Sequence, residues 1–217
     1  MSYYSGFHEY VSVAEKKEKA KAAVEKLKKK NSDISPVIIE GRKLAVTWWG
    51  NSWNNNLVSY SDYSNRIGRG RSYVRNGAVL DLKISEGKVD ALVQGSGSRP
   101  YKVSINIKPI QKNIWDKIKK ECAGKIESLQ EIVEGKFPKA LQSLFTTKGE
   151  GLFPSSKEIS FSCSCPDGAY MCKHVAAVFF GVGARLDNDP KLFFVLRNIK
   201  VEELISETIV KKSETLL

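Results

Sequence analysis

Histidine is scarce in this chain: only His8 and His174 occur among its 217 residues. The sequence has no G-x-x-x-x-G-K-[ST] phosphate loop, no H-E-x-x-H pair and no evident Ser-His-Asp set, which removes familiar signatures of nucleotide-driven, metalloprotease and hydrolase chemistry. Carboxylate pairs such as Asp62 with Asp81, or Glu86 with Asp90, are candidate Mg²⁺ holders that no pattern places together. No catalytic residue is expected. Long apolar runs are missing too. The longest, Val175 to Phe180, stops at Gly181, well short of the roughly 20 residues of a spanning helix. Met1 to Val13 lacks the charged-then-apolar order of a signal peptide, so a cytoplasmic setting with no membrane partner is expected. Internal repeats are absent. Acid is in deficit, with 24 Asp+Glu against 35 Lys+Arg and a net charge of +11. Such an excess calls for an acidic partner, most simply nucleic acid.

What is present suits a folded chain, with 41% hydrophobic and 27% charged residues. Ala14 to Lys30 is rich in helix formers, with Ala20, Ala23, Val24 and Leu27 in one apolar stripe and Glu15, Glu18 and Glu25 spaced to pair with its lysines. Asn31 to Pro36 is turn chemistry that ends it. Asn51 to Tyr60 reads as a short helix, and the tryptophans Trp48, Trp49 and Trp53 as core. Ser61 to Gly77 reads as an exposed basic loop, with Arg66, Arg69, Arg71 and Arg75 among Gly, Ser and Asn. Ala78 to Ile84, Val89 to Gln94 and Tyr101 to Ile107 predict an antiparallel meander turning at Glu86-Gly87 and at Gly95 to Pro100. Helical patterns cover Gln111 to Cys122, Lys125 to Glu134 and Pro138 to Leu144, and a strand covers Glu158 to Ser162. Helices return at Val175 to Phe180, Lys191 to Arg197 and Val201 to Glu207. The fold class is α+β: a small antiparallel meander with flanking helices, plus a smaller module of strand, loop and helix. Three parts are expected: a Lys-rich helix at 1–36, an α+β domain at 37–147, and the smaller module with C-terminal helices at 148–217.

Three of the four cysteines crowd around His174 in the run Cys163-x-Cys165, six residues, Cys172-x-His174. In a reducing compartment they are poor disulfide material. Two ligands at i and i+2 share one face of an extended chain, and Pro166-Asp167-Gly168 supplies the return. Three thiols and an imidazole complete a tetrahedron for one Zn²⁺, with no vacancy for water or substrate, which makes the ion structural. Cys122 lies in a helical pattern as small filler.

This spacing, with Pro166-Asp167 after the second Cys and Lys173 between the last two ligands, resembles a SWIM zinc finger. Trp48-Trp49-Gly50, Arg69 to Tyr73, Val93 to Ser96 and Pro100-Tyr101 extend the resemblance over roughly residues 44–198, to prokaryotic SWIM zinc finger proteins often encoded beside Swi/Snf-class helicases. The resemblance implies zinc binding, a nucleic-acid or protein interaction role, and a helicase-type ATPase as a partner. The Lys-rich first helix lies outside it.

The nucleic-acid-binding candidates are Arg66, Arg69, Arg71, Tyr73, Arg75, Lys102 and Lys173, with Lys108 and Lys112 extending the track. Guanidinium forks suit phosphates, and a tyrosine suits an exposed base. Lys173 is held in place by the ligands on either side of it. The expected function is a non-catalytic, zinc-binding accessory protein for nucleic acid, DNA rather than RNA. The alternative is a protein-interaction adaptor using the zinc module.

Overall fold

The structure, a computed structural model, describes residues 11–123, 139–147 and 149–204. The helical pattern from Lys125 to Glu134 and the end of the one at Val201 to Glu207 lie outside the described residues. Helix α1 spans Val13–Lys28 and starts at a capping box, in which Ser12 accepts from the Glu15 N–H and Glu15 accepts from the Ser12 N–H. Helix α2 spans Trp48–Leu57 and runs into a 3₁₀ turn at Val58–Tyr60. Helix α3 spans Ser64–Arg75. Strands β1 (Val79–Ser85), β2 (Lys88–Val93) and β3 (Tyr101–Ile107) form the expected meander. Helix α4 (Lys112–Ala123), a 3₁₀ turn at Lys139–Leu141 and helix α5 (Gln142–Thr146) lead to β4 (Ile159–Cys163). Helices α6 (Lys173–Asn188) and α7 (Leu192–Leu196) follow. The α+β class holds.

All neighbours in the sheet are antiparallel, in the order β1-β2-β3-β4. The fourth strand therefore comes from beyond residue 148, so residues on both sides of the 147/148 boundary share one sheet and one core. Alternation sorts the two faces. Val89, Ala91, Val103, Ile105 and Ile159 are buried on one face, while Lys88, Asp90, Lys102, Asn106, Ser160 and Ser162 are exposed on the other. Beside β1, the chain at 35–37 takes up free edge groups: Leu82 N–H donates to Ser35 O (3.0 Å) and Val37 N–H to Val79 O (3.0 Å).

Helix α6 packs against both the sheet and α2 and α3, and nearly every side chain from His174 to Val182 is buried. Its small residues make this possible. At Gly181 even a methyl group would press on Leu82 (2.9 Å) and Val37 (3.0 Å). Trp53 stacks on Phe179 (4.4 Å between centroids) and donates its indole N–H to the Phe179 carbonyl at 2.9 Å. Trp48 and Trp49 pack partly buried against the same core. Arg197, 1% exposed, pairs with Glu158 at 2.6 Å and donates to Lys108 O at 3.0 Å. Burial pushes the Glu158 carboxyl up; the Ser155 N–H and the Arg197 guanidinium more than offset this and hold it below its ordinary value. Among the described residues no helix is long and apolar enough to cross a membrane.

The structure overturns one expectation. Ser61 to Gly77 is not a basic loop, because Ser64–Arg75 is helical. Glycine weakens a helix locally, but tertiary packing overrides propensity when one face finds a partner. Ile67, Gly70 and Val74 form a buried stripe, and at Gly70 a methyl group would lie 2.5 Å from the Ala176 methyl and 3.0 Å from the backbone of α6. Gly70 is what lets α3 approach α6 so closely.

Candidate metal centre and its basic surroundings

Strand β4 delivers Cys163 on the face shared with Val103, its partner across the ladder. Ser164 extends the pairing, donating its N–H to Lys102 O (3.0 Å) and accepting from Lys102 N–H (2.9 Å). Cys165 follows in the loop. Asp167 turns that loop by accepting from Ala169 N–H (3.3 Å), and Cys172 sits at the N-cap of α6, so His174 falls in the first turn of the helix. One acid and one base distant in sequence brace the loop. Asp62 accepts from Tyr170 N–H (2.8 Å) and Met171 N–H (3.3 Å), and Arg66 of α3 pairs with Asp167 at 3.1 Å.

The donor atoms of Cys163, Cys165, Cys172 and His174 all lie within 4.8 Å of one another. His174 turns Nδ1 toward the thiols, 3.9 Å from the Cys163 sulfur and 3.8 Å from the Cys172 sulfur. A tetrahedral zinc site with ordinary bond lengths has edges of about 3.5–3.8 Å, so a small contraction closes the cluster on one ion. Charge points the same way. The Cys172 thiol is held well below its ordinary value, first because Cys163 donates its S–H to it, then through His174 and the Val175 N–H. The same bond pushes Cys163 far up, with burial adding to it, and burial raises Cys165. Three thiolates cannot share this space without a cation, and a divalent ion removes the conflict. Nδ1, which faces the sulfurs, is the candidate ligand atom; Nε2 is buried with no hydrogen-bond partner among the described residues. The four side chains fit one structural zinc ion, which would tie the end of β4 to the start of α6.

The expected nucleic-acid contacts are dispersed by the helix that replaces the loop. Arg66 is spent on Asp167, and Tyr73 is half-buried with its ring 5.3 Å from that of His174. Burial raises the Tyr73 hydroxyl, and nearby Arg69 partly offsets this. Arg69, Arg71 and Arg75 are exposed. Arg71 lies over the Phe180 ring at 5.5 Å, and Arg75 donates to Arg42 O at 3.0 Å. Lys173 is half-exposed at the start of α6. Lys102 does not join them, because it alternates with Val103 and so faces the open side of the sheet. Lys108 is exposed and Lys112 pairs with Asp116 at 3.4 Å. The bracing role of Asp62, named in the sequence only as a candidate Mg²⁺ holder with Asp81, escapes a sequence reading, since its partners are more than a hundred residues away.

Residues 162–180 match the family model described as SWIM zinc finger. The chain is also similar to the uncharacterized protein Rv2102 of Mycobacterium tuberculosis (strain ATCC 25618 / H37Rv), 34% identical over 172 residues that make up 79% of this chain. It spans 62% of the length of that relative. No solved structure matches it. With a complete Cys₃His donor set inside the matched segment, the chain carries a SWIM zinc finger with one structural zinc ion.

Proposed function

We propose that the chain is a zinc-stabilised accessory protein that binds nucleic acid, DNA rather than RNA, and performs no chemistry of its own. The observation that carries this reading is α3. The helix is pinned to α6 along Ile67, Gly70 and Val74, and it holds Arg69, Arg71 and Arg75 in solvent on a rigid support one helix away from the metal ligands. Fixed guanidinium groups position phosphates and give no base specificity. The net charge of +11 supports the same partner class. A helicase-type ATPase is proposed as the protein partner in keeping with the family resemblance.

A second reading, a protein-interaction adaptor, is favoured by the exposed apolar residues Ile38 and Val46, 74% and 72% accessible. Binding of Arg69→Gln/Arg71→Gln protein to labelled DNA across a salt series separates the two. The nucleic-acid reading expects weaker binding to every sequence and a log–log salt slope shallower by about 2. Affinity and slope equal to wild type would remove α3 from the interface. A protein partner retained after nuclease treatment would favour the adaptor.

A further inference from the structure

Between α1, the C-terminal half of α3 and the loop from β2 to β3 lies a cleft of about 270 Å³. It is small for a drug-sized ligand and roomy enough for one nucleobase. Its walls combine three chemistries. Tyr73, Ala20 and Ala78 offer apolar surface; Asn76 and Gln94, each 9% exposed, place carboxamides in the lining; and Lys16 and Lys19 of α1 bring positive charge. The Gln94 amide N–H groups are spent on Gly95 O (3.0 Å) and Gly97 O (2.8 Å), and the Asn76 amide reaches Ser72 Oγ (3.4 Å). Neither carboxamide oxygen accepts a hydrogen bond among the described residues. The lining therefore presents acceptors to its occupant.

We infer that this cleft takes an unpaired base of a single strand, with the flanking phosphates on Lys16, Lys19 and Arg69. This rests on the nucleic-acid reading above and specifies the form of its ligand. Acceptors in the wall need donors on the ligand, and the exocyclic amino groups of adenine and cytosine are donors. In a duplex one N–H of each such group is taken up by pairing, the other faces the major groove and the base faces are stacked; in a single strand the whole pairing edge is free, and the base face is free to lie against an aromatic or apolar wall. Lys16 and Lys19 of α1 line the cleft, and Arg69 lies one helical turn before the lining residue Tyr73 on α3, so the basic groups come from two elements, as a backbone track requires. Lys19 also reaches across to the loop, 3.5 Å from Ser96 O.

The zinc site braces this cleft. Tyr73 forms part of its wall and packs on His174, while Gly95 lies against the face of Tyr101, whose ring sits 4.6 Å from the His174 ring. A side chain at Gly95 would collide with Tyr101. Two walls of the cleft thus lean, through aromatic rings, on one zinc ligand, and metal binding sets their spacing.

The test is fluorescence anisotropy of a labelled 12-nucleotide single strand of mixed A and C, and of the same sequence as a duplex, with zinc-loaded protein. Ser72→Phe fills the cleft from an exposed position on α3, off the buried stripe of Ile67, Gly70 and Val74. The variant is expected to lose about tenfold in single-strand affinity, the scale of one base contact, while zinc content, melting temperature and duplex affinity stay at wild-type values. Lys16→Glu/Lys19→Glu, on a different element, should weaken the single strand as well. Lys88→Ser, which removes a charge on the far face of the sheet, should not. Single-strand affinity unchanged in both Ser72→Phe and Lys16→Glu/Lys19→Glu overturns the cleft assignment and leaves the α3 reading standing. Wild-type protein that binds neither form overturns both.

Discussion

Cys172 and His174 each serve two structures, since they ligate the metal and also begin α6, the helix on which the core is built. Replacing Cys172 with Ser, or His174 with Ala, should drop zinc from one ion per chain toward none and open residues 160–185 to protease. Elemental analysis and limited proteolysis read the two effects, and unchanged values in both would refute the ligand assignment. A second residue-scale test concerns Arg197, whose guanidinium is buried and neutralised by Glu158. Glu158→Ala strands that charge and should cost about 3–5 kcal/mol at neutral pH. The Glu158 carboxyl is held below its ordinary value, so the stability it adds is complete above the ordinary glutamate range and is lost as pH falls through the lowered value. Denaturant melts of wild type and variant should therefore converge only as pH falls below that lowered value, under the ordinary glutamate range. Taking the difference between the two proteins cancels any zinc loss common to both. A gap that stays constant or widens in acid would contradict the pairing.

Among the elements, α3 separates what a sequence reading sees from what it misses. The meander was legible because Val103, Ile105 and Ile107 alternate with Lys102, Ser104 and Asn106, a period of two that only a half-buried strand uses. Helix α1 was legible through its helix formers and apolar stripe. Helix α3 was not, because Gly68, Gly70 and its serines signal a loop, while the reason for Gly70 lies on Ala176, more than a hundred residues away. Two glycines in the one helix now make opposite predictions. Gly68 is exposed with open space where a Cβ would go, so Gly68→Ala should raise stability by about 0.5–1 kcal/mol by restricting the unfolded chain and improving helix propensity. Gly70→Ala drives a methyl into the α6 backbone and should cost about 1–3 kcal/mol. Chemical denaturation of the two variants checks both signs, and equal effects would mean that the segment is not a packed helix.

For the molecule as a whole, the zinc finger is part of the fold and not an appendage: β4 completes the sheet, and α6 lies between the sheet and the arginine-bearing α3. The four ligands were legible because they fall within twelve residues at a spacing that geometry explains. Their supports, Asp62 and Arg66 on the loop and Tyr73 and Tyr101 on the imidazole, were not, since each reaches the site through tertiary contacts that no local pattern encodes. Lys16 and Lys19 illustrate the same point: in sequence they belong to a solvated helix, and in the fold they line a cleft. If metal, α3 and cleft form one mechanical unit, stripping zinc must weaken nucleic-acid binding even though no ligand residue touches the strand. The measurement that tests this most directly is the affinity of the chain for labelled single-stranded DNA, taken zinc-loaded, after chelation and after zinc is restored. The account predicts salt-sensitive binding that weakens at least about tenfold on chelation and returns with the metal. Binding of equal strength with and without zinc, or none in the loaded protein, would contradict it.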